Sequence, residues 1–238
     1  MNADTQAILL DIEGTVCPIT FVKDVLFPYA LAALPATLST HWSTPSFQPY
    51  LAAFPLEHTT TPDTLLSHIT ALTAQDSKLP ALKSLQGYLF AQGYSSGALQ
   101  CPLFPDVPPS LHTWHALSIP IMIYSSGSVA AQKLLFEHTT STPSDLRPLL
   151  SDYFDTVNAG PKTEAASYAK IASSRPEIEI SKWLFLSDNP KEVKAAKEAG
   201  IQSFIVMREG NAPLSDEERA AHRVVASFEE VRILGVGI

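Results

Sequence analysis

Apolar residues are distributed along this chain in two different textures. The first is a set of short apolar runs that each close on turn residues: Ile8-Leu9-Leu10, Ile119-Pro120-Ile121-Met122-Ile123-Tyr124, Trp183-Leu184-Phe185-Leu186-Ser187 and Ser203-Phe204-Ile205-Val206-Met207. Runs of this kind read as strands buried on both faces. Tyr153-Phe154-Asp155-Thr156-Val157 is a shorter strand candidate, and Val224-Val225 opens another. Helical patterns lie between them over Ser110–Leu117, Val129–His138, the segment from Thr163 to about Ser173, and Lys191–Ala199. The last of these stops at Gly200, a natural helix C-cap. Strands alternating with helices at this spacing predict βαβ units and a parallel sheet.

The second texture lies between the first run and the rest. From Phe21 to about Gly93, leucines recur at helical spacing, as in Leu31, Leu34 and Leu38, in Leu65, Leu66, Ile69 and Leu72, and in Leu82, Leu85 and Leu89. Pro35, Pro45, Pro49, Pro55 and Pro62 are expected to punctuate it into short helices. Thr61-Pro62-Asp63 reads as an N-cap followed by proline in the first helical position. Residues 93–109, rich in Gly, Ser and Pro, read as a return linker. The expected organisation is an α/β catalytic core of residues 1–15 and 100–238, with residues 16–99 inserted as a small helical domain.

Composition narrows the function classes. The 238 residues are 45% hydrophobic and 17% charged, enough to bury a substantial core. A formal charge of −8 argues against nucleic acid or an anionic membrane as the main partner. No apolar run approaches a membrane span. The start, Met1-Asn2-Ala3-Asp4-Thr5-Gln6, has neither the basic patch nor the apolar stretch of a targeting segment. Two cysteines, Cys17 and Cys101, are too few for a disulfide scaffold. The expectation is a cytoplasmic protein with free thiols, with the nucleus also open to a chain this small.

Polar residues stand at the ends of three of the strands. Asp11 and Glu13 follow the first run, Ser125 and Ser126 the second, and Asp188 and Asn189 the third. Lys162 stands at the start of a helix between the last two. Each has an ordinary explanation alone: a solvated turn, a helix entry, a surface lysine. Together they are expected to converge, because parallel strands present all their carboxyl ends at one edge. Carboxylates gathered at one point repel unless a cation lies between them, and oxygen-only ligands suit Mg²⁺. Hydroxyls, a lysine and helix N-terminal N–H groups suit phosphate. A carboxylate also serves as a nucleophile that carries a phosphoryl group.

Asp11-Ile12-Glu13-Gly14-Thr15, Ser125-Ser126, Lys162 and Asp188 resemble the four motifs of the haloacid dehalogenase superfamily of phosphatases. Glutamate at the second acidic position of the first motif, where the superfamily usually has aspartate, narrows the resemblance to the enolase-phosphatases of methionine salvage. Phe21-Val22-Lys23-Asp24-Val25-Leu26-Phe27-Pro28-Tyr29, Ile123–Phe136 and Gly160-Pro161-Lys162-Thr163-Glu164-Ala165 share it. The resemblance implies a Rossmann-like core with a helical cap and one Mg²⁺ per chain. A monomer is expected, because a cap carried on the same chain can close its own site. The resemblance also implies Asp11, Glu13 and Asp188 as metal ligands, Asp11 as nucleophile, and Glu13 as a further catalytic residue. Ser125, Ser126 and Lys162 would bind the substrate phosphate. The implied substrate is a small phosphorylated diketone, 2,3-diketo-5-methylthiopentyl-1-phosphate, enolised and then dephosphorylated to the acireductone. Two alternatives remain at this point: a phosphatase of the same superfamily acting on another small phosphate ester with no enolase step, and a binding protein that kept the fold without turnover.

Overall fold

Continuous apolar runs become the central strands of a parallel sheet in the computed structural model, which describes residues 5–75, 77–231 and 233. The first four residues of the N-terminal segment and the last five of the expected core lie outside the described residues. The strands are β1 (Ala7–Leu10), β2 (Ile121–Tyr124), β3 (Asp152–Phe154), β4 (Trp183–Ser187), β5 (Gln202–Val206) and β6 (Val224–Val225). They lie in the order β3-β2-β1-β4-β5-β6. Every pairing is parallel. The chain moves outward from β1 through β2 to β3, then returns to place β4 on the other side of β1. Between β1 and β4 the strand order reverses, which is where open α/β sheets bind their ligands. Both faces of the central strands are buried, so no polar alternation is needed along them. On one face Leu9, Met122, Tyr124, Trp183 and Phe185 pack with Tyr168, Ile171 and Ala195.

The chain divides into two compact units, Met1–Phe21 with Gln100–Ile238, and Val22–Leu99. The division falls six residues later than the sequence suggested, because Val16, Cys17 and Phe21 are buried. The second unit holds α1 (Phe27–His41), α2 (Gln48–Ala52), α3 (Pro62–Ala74) and α4 (Pro80–Ser95). Its core is built from the periodic leucines, with Leu34, Leu38, Leu65, Ile69, Leu82, Leu85 and Leu89 buried around Phe47 and Phe54. Thr61 caps α3 as the sequence indicated, and its hydroxyl accepts the Thr64 amide at 3.2 Å. Pro35 does not break the segment. It sits inside α1 on the exposed side, where a missing intrahelical bond costs least.

The first unit adds α5 (Val107–Ala116), α6 (Val129–Glu137), α7 (Ala165–Ala172), α8 (Pro190–Glu198) and α9 (Asp216–Ala221). Helix α5 starts earlier than its periodicity suggested, because Pro108 and Pro109 occupy the first turn, where no N–H donor is required. Strand β3 ends earlier than expected, because Asp155 turns the chain back. Its carboxylate accepts the Val157 and Asn158 amides, both at 2.9 Å. Among the described residues no helix is long and apolar enough to cross a membrane.

Candidate active site

Asp11 is the first residue beyond β1, and its amide donates to the Leu186 carbonyl at 3.0 Å. The strand ends at Leu10, so strand alternation does not set the positions of Asp11 and Glu13. A tight turn intervenes. The amides of Thr15, Val16 and Cys17 all point at the Ile12 carbonyl, at 3.2, 2.9 and 3.2 Å. Glu13 lies half-buried in this turn and bridges to Cys17. Gly14 has φ +71°, and a Cβ there would fall 2.5 Å from Asp188 Oδ2. Glycine is therefore required both by the backbone angle and by the approach of Asp188.

Lys162 reaches Asp11 from the loop ahead of α7. That loop is held at three successive residues. Tyr124 donates to the Gly160 carbonyl at 2.7 Å, Ser167 to that of Pro161 at 2.8 Å, and Tyr168 to that of Lys162 at 2.7 Å. All three donors come from β2 and α7, so the packed face of the sheet fixes where the lysine starts. Its ammonium group donates to Asp11 Oδ1 and lies 2.6 Å from Glu192 Oε2. All three side chains are buried. Ser187, fully buried at the end of β4, lies 3.3 Å from Asp11 Oδ2 and 3.0 Å from Glu192 Oε2. A hydroxyl has one proton, so it serves only one of these acceptors at a time.

The remaining expected residues occupy the same edge. Asp188 follows β4, and its amide donates to the Thr15 hydroxyl at 3.0 Å, which ties the first motif to the last. Ser125 stands two positions beyond Ile123, the register partner of Leu10. It is buried, and its hydroxyl accepts the Gly127 amide at 3.2 Å. Ser126 is exposed. Asp11 and Lys162 are thus in direct contact, Asp188 joins through the turn at Gly14 and Thr15, and the serines line the neighbouring strand end.

Charge in this site is unbalanced. Burial and the negative charge of Asp11 push Glu192 up to about 7, and the same two causes, with Glu192 added, push Asp188 up to about 7. Burial opposes the charge on Lys162, yet Asp11 and Glu192 hold its ammonium well above the usual lysine range. One buried ammonium therefore faces three carboxylates.

A family model for haloacid dehalogenase-like hydrolases matches residues 5–200. The enolase-phosphatase E1 of Neurospora crassa is 60% identical over 230 residues, covering 96% of this chain and 98% of that protein. That of Sordaria macrospora is 61% identical over the same shares. The chain belongs to the enolase-phosphatases of the haloacid dehalogenase-like hydrolase family. It is therefore a phosphatase, and the binding-protein alternative falls away. The crystal structure of the UTR4 protein from Saccharomyces cerevisiae superposes with a TM-score of 0.82 at 39% identity, covering 94% of this chain and 99% of that one. CbbY from Rhodobacter sphaeroides, crystallised with phosphate, shares the fold at 17% identity and a TM-score of 0.63.

Two members of this hydrolase site escaped the reading of its sequence. Glu192 lies in a helix that the sequence predicts and was not singled out there. Its signal was its position in the first turn of α8, three residues after the cap Asn189, where an acid faces back toward the strand end. Ser187 looked like a closing residue of a strand, and nothing in its neighbours marks it. Among the described residues no three His, Cys, Asp or Glu side chains form a ready-made metal cage. The site nevertheless fits a hard cation by its chemistry, because its donors are oxygens, its buried charge is negative in excess, and the missing Cβ of Gly14 leaves Asp188 room at the first motif.

Proposed function

We propose that this phosphatase is a bifunctional, Mg²⁺-dependent enolase-phosphatase. It converts 2,3-diketo-5-methylthiopentyl-1-phosphate to the acireductone 1,2-dihydroxy-3-keto-5-methylthiopentene and phosphate, a step of methionine salvage. Enolase-phosphatase relatives at about 60% identity over nearly the whole chain support the substrate. The observation that carries the chemistry is the buried Asp11 carboxylate, held by Lys162 at the reversal point of the sheet.

Asp11, Glu13 and Asp188 would hold one Mg²⁺, which supplies positive charge against the phosphate oxygens and between the carboxylates. An Asp11 oxygen attacks phosphorus, the bond from phosphorus to the enol oxygen breaks, and water later cleaves the aspartyl-phosphate. Lys162 turns its ammonium to the transferring phosphoryl group, and Ser125 and Ser126 bind its other oxygens. Glu13 takes the proton whose removal starts enolisation. The −8 charge supports a small-molecule substrate over nucleic acid or membrane, and we propose a cytoplasmic monomer. The test follows phosphate release and the ultraviolet absorbance of the enediol together, with and without a chelator. Both signals should appear with Mg²⁺ and vanish without it. Phosphate without the enediol signal would remove the enolase step, and silence in both would overturn the proposal.

A further inference from the structure

The loop after β5 reaches back to the first motif and grips it at two successive carbonyls. Arg208 Nε donates to Thr15 O at 3.1 Å, and Asn211 Nδ2 donates to Gly14 O at 2.9 Å. Asn211 Nδ2 also donates to Val206 O at 3.2 Å. An amide group facing two carbonyl oxygens must present its nitrogen to them, so the orientation of this side chain is fixed by its partners. Its oxygen therefore points the other way. There it is buried and has no hydrogen-bond partner among the described residues.

A buried acceptor without a donor is costly, and such a group in a native fold calls for a missing partner. The direction in which Asn211 Oδ1 points is informative. It lies 2.9 Å from the position a Cβ on Gly14 would take, and Asp188 Oδ2 lies 2.5 Å from that same position. Asn211 Oδ1 and Asp188 Oδ2 thus approach the same face of Gly14, the face from which a side chain is missing. The donor that Asn211 Oδ1 lacks is supplied by a water, and the cation of the proposed reaction would bring one beside Asp188. Outer-shell groups that accept hydrogen bonds from ligands of a metal fix the orientation of the site and raise its affinity.

We propose that Asn211 is a positioning residue of the cation site. Its Nδ2 pins the Gly14 peptide, and its Oδ1 accepts a hydrogen bond from a water in the shell of a divalent cation held beside Asp188. This rests on the Mg²⁺ dependence proposed above. It makes Asn211 part of the machinery without contact to the substrate.

The test is direct binding of Mn²⁺ to the full chain, followed by electron paramagnetic resonance, beside the melting temperature measured in chelator. Asn211→Ala should weaken Mn²⁺ binding by about tenfold or more. The rise in melting temperature on adding saturating Mg²⁺ should shrink in step. A residue that only packs the loop would lower the melting temperature in chelator and leave the Mn²⁺ affinity alone. Equal Mn²⁺ affinity in parent and variant, within about twofold, overturns the role of Asn211 and leaves the proposed reaction standing. A parent chain that binds no Mn²⁺ overturns both. Where Asn211→Ala does not fold, Asn211→Ser, which trims less of the loop and falls short of the cation side, is judged by the same criterion.

Discussion

Two buried cations in the α/β unit have opposite surroundings. The Arg208 guanidinium lies 4.6 Å from the Phe104 ring and 4.9 Å from that of Phe228. Its two terminal nitrogens meet the two oxygens of Asp106 at 2.9 and 2.8 Å, and backbone carbonyls of Thr15 and Ala226 take two more of its donors. Asp106 also accepts the Phe228 amide at 2.7 Å. One cation meets one anion, and every strong acceptor is used. Lys162 instead touches two carboxylates, with Asp188 close enough to be disturbed by both. The titration behaviour follows. Burial works against the Asp106 carboxylate, but hydrogen bonds from Arg208 and Phe228 outweigh it and hold the group below its ordinary range. Glu192 and Asp188 go up to about 7. Balanced buried charge fastens the C-terminal segment to α5. Surplus negative charge marks a place that gains from another cation.

Breaking each cluster should therefore have different consequences. The largest effect belongs to Asp11→Asn, which keeps the shape and removes the proposed nucleophilic anion. Phosphate release should fall by about 10³-fold or more, while circular dichroism and the melting temperature stay near the parent values. Residual turnover within tenfold of the parent would end the aspartyl-phosphate mechanism. Lys162→Met removes the proposed phosphate clamp, and phosphate release should fall by about 10²- to 10³-fold. Asp106→Asn reverses the pattern. It leaves a buried guanidinium with no counter-charge and should cost about 3–5 kcal/mol in urea unfolding. Turnover per folded molecule should change little. A large loss of turnover with full stability would show that the Arg208 cluster belongs to the chemistry.

The sequence carried the sheet well and the wiring of the site poorly, for physical reasons. Apolar runs such as Trp183–Ser187 are legible because burial on both faces demands them, and the periodic leucines of the helical unit because one helix face must be buried. Asp11, Ser125, Lys162 and Asp188 were legible because they end strands or begin helices at one sheet edge. Glu192 was not, since an acid in the first turn of a helix is also an ordinary partner for the helix dipole. Asn211 and Arg208 act on Gly14 and Thr15 across nearly two hundred residues of chain, and no local pattern announces such a contact.

The smallest effect separates the two clusters most cleanly, because their pH dependences have opposite signs. Asp106 has a folded pKa below its unfolded value of about 3.9. Its stabilisation is fully present above about pH 4 and is lost as pH falls through the folded value. Glu192 and Asp188, at about 7 in the folded chain without a cation, lie above their unfolded values of about 4. The stability they contribute is present below about pH 4 and is lost as pH rises through 7. In chelator, the parent chain should become less stable between pH 5 and 7. Replacing Glu192 by Gln removes one of these two carboxyl groups. The slope of unfolding free energy against pH should then flatten by up to about 1.4 kcal/mol per pH unit. Asp106→Asn should leave that slope unchanged and alter only the acid limb below about pH 4. An unaltered slope in Glu192→Gln, measured by urea unfolding at pH 5, 6 and 7, would mean that the charge surplus around Lys162 is already neutralised without a metal.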